Sequence, residues 1–471
     1  MALKTYKIQS FFGIDQSSDE NNISPSCSPD AVNMSTDGGR LSVAKGYEKY
    51  IADPVPGSDR IRYMTCFRSA NDDCLPVVAA GDNYYCYSGG QWNLIHTIVN
   101  PANTLYFESE MLKIGDTDYL VISDGRNQLI KFDGETVTSF GSAESCSDVP
   151  VSYLAMYRNR LFSAGDRRNP NRLYYSVLPG GGRTLEDWGP VAASPSVEGG
   201  HVEVGSVGGD PIIALHATSN QLLIFKKHSV YRLIGDRPSN FTIEKIDTNY
   251  QSTQHKVIAS YGDTVFFLTA DGLYYYNGVN ARPNPDHSMI RNIMKDAKLS
   301  SSHLVIIKDK LYFSLKCSGV DKLVVYDLTE HKYMLHDGFP ITWIMDIAGE
   351  LMIVNTNRYI YRFGVGTSYD GVPIEAHWST PLTDLGSKAE IKALRSLMLR
   401  GSGGTVKVTA SIGKRTLNYF YRLPKSRSEV VELPLSDEGR CFSLTLSNSG
   451  GSSFELEGGI EILFSSRMRT V

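Results

Sequence analysis

Val265-Phe-Phe-Leu-Thr-Ala-Asp-Gly-Leu-Tyr-Tyr-Tyr-Asn-Gly278 packs two strands and two turns into one short phrase. Its first run is apolar and aromatic and stops at Asp271-Gly272. Its second run is almost wholly aromatic and stops at Asn277-Gly278, and both dipeptides suit tight turns in which glycine takes a positive φ. The same phrase recurs along the chain. Its second strand begins at Tyr84, Leu129, Leu173, Val230, Leu273, Leu323 and Ile360, which gives spacings of 45, 44, 57, 43, 50 and 37 residues. A period in that range, filled by strands instead of helices, is that of a four-stranded propeller blade. The expected fold is therefore all-β: a β-propeller of about seven blades over residues 60–371. Six or eight blades also fit, because strands outside the repeated pair are faint.

On either side of this period the sequence changes character. Residues 1–59 are rich in Ser, Asp, Asn and Pro with scattered apolar positions, which reads as an extended N-terminal arm. Within it, Asp37-Gly38-Gly39 is a hairpin signal, and the alternation of Arg40, Leu41, Ser42 and Val43 makes this the expected added strand. The arm is too poor in apolar residues to fold alone, so it is expected to dock on a blade or on a neighbouring subunit. Arg40, Leu41 and Val43 are the expected assembly contacts. After residue 371 seven strand-like runs follow in about a hundred residues, the strand density of a β-sandwich, so residues 372–471 are read as a C-terminal β-sandwich-like domain. Residues 288–298 form the one helix-like stretch inside the propeller.

Composition narrows the function. Lys+Arg 47 against Asp+Glu 51 gives a net charge of -4, which carries no electrostatic footprint for nucleic acid. No apolar run of membrane-spanning or signal-peptide length occurs, so no membrane anchor is expected and synthesis is expected in the cytosol. The seven cysteines lack a CxxC pair and are expected as free thiols. The ten histidines, among them His96, His201, His216, His228 and His377, show no ligand spacing. Sequence-local phosphate, zinc-protease, hydrolase and dinucleotide motifs do not occur. Asp124, Asp166, Asp271 and Asp327 each end a strand and are the candidates for a glycosidase pair, but Asp also caps turns, and that is the reading preferred here. No catalytic, cofactor or metal residue is expected, and the chain is expected not to be an enzyme.

Three segments carry a family resemblance. Asn33-Met-Ser-Thr-Asp-Gly-Gly-Arg-Leu-Ser-Val-Ala-Lys-Gly-Tyr47, the blade Arg158-Asn-Arg-Leu-Phe-Ser-Ala-Gly-Asp166 with Asn171-Arg-Leu-Tyr-Tyr-Ser176 and Glu186-Asp-Trp188, and His377-Trp-Ser-Thr-Pro-Leu-Thr-Asp-Leu-Gly386 with Lys392-Ala-Leu-Arg395 resemble the tail hub, nozzle and packaged-DNA stabilisation proteins of tailed phages. The resemblance implies a structural virion protein in the phage tail or neck, assembled in the bacterial cytoplasm. It implies self-association into a ring, a hexamer, that meets portal, adaptor or other tail proteins and retains and passes genomic DNA without sequence-specific binding. The alternative, from a different class, is a carbohydrate-binding or glycoside-cleaving propeller used in host-surface recognition.

Overall fold

The computed structural model describes residues 3–20, 22–57, 60–69, 74–99, 106–189, 198–206, 208–246, 250, 252–412, 415–425 and 430–468. Seven antiparallel sheets follow one another along the chain, each a meander whose first strand lies innermost. The innermost strands are Ile61–Arg68, Glu108–Ile114, Tyr153–Tyr157, Ile212–Ala217, Thr253–Tyr261, His303–Ile307 and Trp343–Ile347. Each packs on the next, and the last packs on the first, so the ring is closed. The fold is a seven-bladed β-propeller. Adjacent positions of a blade strand point to opposite faces, and inter-blade packing covers both: Leu273 and Tyr274 are 0% and 6% exposed, and Tyr275 is half-buried. The helix-like stretch becomes a 3-10 turn, His287–Ile290, followed by the short helix Arg291–Lys295 between the fifth and sixth blades.

Six blades are built from consecutive strands, and the seventh is not. Its first three strands are Trp343–Ile347, Glu350–Val354 and Ile360–Phe363, and the fourth is Tyr47–Lys49 from the arm, in register Phe363↔Tyr47 and Tyr361↔Lys49. The strand that adds to a blade is thus Tyr47–Lys49 and not Arg40–Val43, and the reason is aromatic packing. Tyr47 is 5% exposed and sits against Phe339, Tyr361 and Tyr369 at ring-centroid distances of 5.3, 4.6 and 5.1 Å. Gly46 lets the chain pass so close to Ser368 that a Cβ there would lie 1.8 Å from its carbonyl oxygen.

The C-terminal region is a sandwich of two sheets, and the arm contributes to both. One sheet runs Met34–Ser35, Leu41–Val43, Phe454–Met468, Glu390–Gly403, Val430–Gly439, with Leu3–Ile8 also paired to Phe454–Met468. The other runs Ala31–Val32, His377–Ser379, Phe442–Asn448, Thr405–Ile412, Arg415–Arg422. Val372–Pro373 still pairs with Ser368–Tyr369 in the seventh blade's sheet, so the sandwich begins beyond Pro373. The arm is therefore not a separate unit. One continuous core joins Phe11, Met34, Leu41 and Tyr47 of the arm to Leu268, Leu323 and Ile353 of blades five to seven and to Leu397 and Val408 of the sandwich. Trp378, fully buried, is the pin: its ring meets Phe11 edge-on at 5.1 Å and its Nε1 donates to the Phe12 carbonyl at 3.1 Å.

One thiol expectation is corrected. Cys66 and Cys74, on the first two strands of blade one with Cα atoms 5.7 Å apart, form a disulfide. Antiparallel pairing brings them together where sequence spacing alone gave no CxxC signal. Cys27, Cys86, Cys146, Cys317 and Cys441 are free.

Candidate functional site

The innermost strands all run in one direction, so their first residues gather at one mouth of the central channel. Blade one supplies Tyr63 and Thr65, blade two Glu108, Ser109 and Glu110, blade three Tyr153, blade five His255 and Lys256, blade six His303, and blade seven Trp343. These side chains lock together across blades. The Tyr63 hydroxyl donates to Ser109 Oγ at 2.7 Å, and the Thr65 hydroxyl lies 2.8 Å from the same oxygen. Trp343 packs edge-on against Tyr63 at 5.2 Å and at a tilt against His303 at 4.2 Å, with the Lys256 ammonium 4.3 Å above its ring. His255 is held between Tyr106 and Tyr153 at 5.3 and 5.6 Å. The channel mouth is thus filled by interlocked aromatic and ionisable groups.

Enclosure in the channel discourages charge. Burial, reinforced by the negative charge of Glu110, pushes the Glu108 carboxyl up to about 8, and burial pushes Glu110 up to about 7 although the Met156 N–H donates to its Oε1 at 3.1 Å. Burial pulls the Lys256 ammonium down to about 8, with Arg60 adding to the effect and Glu108 opposing it. Burial pulls His255 down to about 3 and His216, deeper in blade four, down to about 4, so both imidazoles are neutral at neutral pH. Nε2 of each buried ring has no hydrogen-bond partner.

The geometry limits the chemistry. A glycosidase needs carboxyl groups on opposite flanks of the scissile bond. Glu108 and Glu110 are two positions apart on one strand and share one flank, and Glu110 is tied to the blade-three backbone. The channel is suited to holding blades together or to gripping a small polar ligand at its mouth.

The strand-ending aspartates lie in separate blades and serve their own turns. Asp124 Oδ1 accepts from the N–H groups of Arg126 and Asn127 at 2.8 and 2.7 Å, and Asp327 Oδ1 accepts from those of Thr329 and Glu330, both at 2.9 Å. Asp166 accepts from Arg168 N–H, Asn169 Nδ2 and the Tyr174 hydroxyl. Asp271 starts the turn at Gly272, whose φ is +129°. Among the described residues, the carboxylates of Asp37, Asp327 and Glu330 converge as a cation site would require. Lys310 already lies 3.4 Å from Asp37 and 3.7 Å from Asp327, and Lys332 pairs with Glu330, so two ammonium groups balance the cluster.

The expected assembly residues all make contacts within this chain, although the Arg40 side chain is half exposed. Leu41 is fully buried and pairs with Leu456 of the sandwich, Arg40 forms an ion pair with Glu455 at 2.9 Å, and Val43, half-buried, pairs with Met34. The channel cluster itself was missed in the sequence, since its members lie in six blades. The pair Glu108-Ser-Glu110 at the head of an inner strand was the one local signal.

No family model matches the chain, and no curated protein does. Among solved structures, the chain is similar to BBS1N, crystallised in complex with ARL6DN, at 11% identity over 68% of this chain and 98% of that one, with a TM-score of 0.42. It is also similar to the extracellular domain of a putative one component system from B. thetaiotaomicron, at 8% identity over 89% of this chain and 62% of that one (TM-score 0.44). An exo-beta-1,3-galactanase from Phanerochaete chrysosporium matches at 9% identity over 66% of this chain and 95% of that one (TM-score 0.25). No helix among the described residues is long and apolar enough to cross a membrane.

Proposed function

We propose that the chain is a structural, non-enzymatic component of a tailed-phage virion, assembling in several copies into a ring of the head-tail or tail conduit through which the genome is retained and passed. The family resemblance of the arm, the third blade and the start of the sandwich motivates this reading. The observation that supports it best is the course of residues 3–49, which closes the seventh blade and supplies strands to both sandwich sheets, giving one interlocked wedge. A ring under load from packaged DNA needs subunits whose parts do not slip. With the channel mouth of each propeller filled by side chains, DNA passes along the axis of the ring and not through any one propeller. Portal, adaptor or other tail proteins are the expected neighbours. The test is negative-stain imaging of the purified chain alone and with a portal complex. Annular assemblies support the proposal, and monomers that stay apart from the portal complex overturn it.

One observation favours a second reading: Tyr106, Tyr153 and Trp343 with two protonated or half-protonated carboxyls at a propeller mouth resemble the polar-aromatic mix that grips sugars. Under that reading a monomer retains a glycan and Trp343→Ala abolishes retention.

A further inference from the structure

On the same face as the channel mouth, but out on the rim between blades two and three, a cleft of about 680 Å³ is lined by Arg126, Arg167, Arg168 and Arg172, with His201 at its edge. The strand directions put it there: Arg126 follows the second strand of blade two, and Arg167 and Arg168 follow the second strand of blade three. In a chain of net charge -4 this is a local concentration of cations, in which the four arginines outnumber the two carboxylates of the lining, Asp148 and Asp166. Arg126, Arg167 and Arg168 are exposed and have no ion pair or side-chain hydrogen bond among the described residues, whereas Arg172 is paired with Glu203 at 3.0 Å.

Two carboxylates also line the cleft. Asp166 is turned into its own loop, where it accepts from Arg168 N–H at 2.9 Å, Asn169 Nδ2 at 2.6 Å and the Tyr174 hydroxyl at 2.8 Å; these bonds keep it ionised, but among the described residues it forms no ion pair with the Arg167 or Arg168 guanidinium. Asp148 alone remains exposed against three free guanidinium groups. Beneath them Tyr174 stacks on Trp188 at 5.9 Å and both rings are buried, giving a rigid floor. Two of the three free arginines are thus mounted on a loop fixed by a buried hydrogen-bonded aspartate. That is how a preorganised site is held, and it differs from a mobile basic tail.

We infer that this cleft is an oxyanion site that takes phosphate groups, borne either by a free nucleotide or by the backbone of a DNA strand. The planar guanidinium fork matches phosphate oxygens in bidentate fashion, three such forks exceed what the Asp148 and Asp166 carboxylates balance, and the volume suits a ligand of nucleotide size. The DNA source rests on the conduit reading, and the nucleotide source does not. A site confined to one cleft of each subunit would touch the genome at spaced points without coating the conduit in positive charge.

Fluorescence anisotropy on the full chain tests this with a labelled 20-nucleotide oligothymidylate, with labelled ATP, and with unlabelled pyrophosphate as competitor. Binding of either labelled probe, displaced by pyrophosphate and weakened at least tenfold in Arg167→Ala/Arg168→Ala, is the expected result, with Lys295→Ala, an exposed cation elsewhere, unchanged. For the oligonucleotide, log K against log salt should fall with a slope of about -2 for three phosphate contacts, and the double variant should lose about two thirds of that slope. Nucleotide binding without oligonucleotide binding assigns the site to a free ligand, and imaging of rings then decides the conduit reading separately. No binding of either probe, or equal binding by the double variant with an unchanged far-UV spectrum, overturns the inference.

Discussion

Gly46→Ala should open the propeller. The added Cβ would stand 1.8 Å from the Ser368 carbonyl oxygen, 2.5 Å from its carbonyl carbon and 3.0 Å from its nitrogen, all backbone atoms that have no rotamer in which to move away. Ordinary contact is near 3.5 Å, so the two segments must part by roughly 1.5 Å. That displacement stretches the bonds from Gly366 to Gly46 (Gly46 N–H to the Gly366 carbonyl, 3.3 Å) and from the Gly364 and Val365 N–H groups to the Gly46 carbonyl (2.9 and 3.2 Å). It also lifts Tyr47 from the aromatic cluster next to it. Each lost hydrogen bond costs about 1 kcal/mol and unseating a buried aromatic about 3 kcal/mol or more, so a loss of at least about 3 kcal/mol is expected. Tyr47→Ala should cost a similar amount by removing the anchor instead of the space. Gly38→Ala is the control: its φ is +62° but a Cβ there meets nothing within 4 Å, so only backbone strain of about 1 kcal/mol applies. Urea unfolding followed by tryptophan fluorescence measures all three. If Gly46→Ala unfolds with the same midpoint as the natural chain, the close passage at Ser368 does not govern closure and the reasoning fails.

Four further outcomes follow from the same structure. Glu108→Gln should flatten part of the stability-pH profile: a carboxyl raised to about 8 is protonated in the fold while its unfolded counterpart ionises near 4.5, so stability falls as pH rises between those values. The loss should be on the order of 2 kcal/mol after discounting for channel water, and identical slopes from pH 5 to 8 for the two proteins would contradict it. His377, raised by the Asp30 carboxylate 3.1 Å from its Nε2, contributes stability that is complete below the ordinary histidine value and is lost as pH rises through its folded value, and Asp30→Asn should remove that dependence in a pH series of melts. Gly278→Val, at φ +91° with no close neighbour, should cost roughly 1 kcal/mol or more through backbone strain, and an unchanged melt would show that the turn relaxes freely. Deleting residues 1–50 removes the fourth strand of blade seven and strands from both sandwich sheets, so the truncated chain should aggregate, and a soluble cooperative monomer on size exclusion would refute this.

The propeller was legible because each blade repeats one aromatic-rich strand at a steady interval, and that strand must bury side chains on both faces. The outer strands were not: Val137–Ser139 and Ala281–Pro283 are three residues long and carry no period of their own. Strand Tyr47–Lys49 was hidden for another reason. It is equally short, and its partner Ile360–Phe363 lies at the far end of the propeller sequence, so nothing local announces the pairing. The arm's hairpin, in contrast, was written in Asp37-Gly38-Gly39, and Met34–Ser35 does pair with Leu41–Val43 around it. In the sandwich, the full length of Glu390–Gly403 was hidden because register shifts at Leu394/Ser396 and Leu399/Gly401 interrupt the alternation by which a strand is read. The channel mouth drew one to three residues from each of six blades, a juxtaposition that closure of the ring creates, and the arginine cleft joined loops of two neighbouring blades.

The central claim, that this chain is a ring-forming wedge of a phage conduit, is tested most directly by native mass measurement of the purified chain mixed with a portal complex. The account predicts a stable species whose added mass is an integer multiple of 52.1 kDa, present for the natural chain and absent for Gly46→Ala. A chain that remains a 52.1 kDa monomer in the mixture, while retaining a glycan through Trp343, would contradict it.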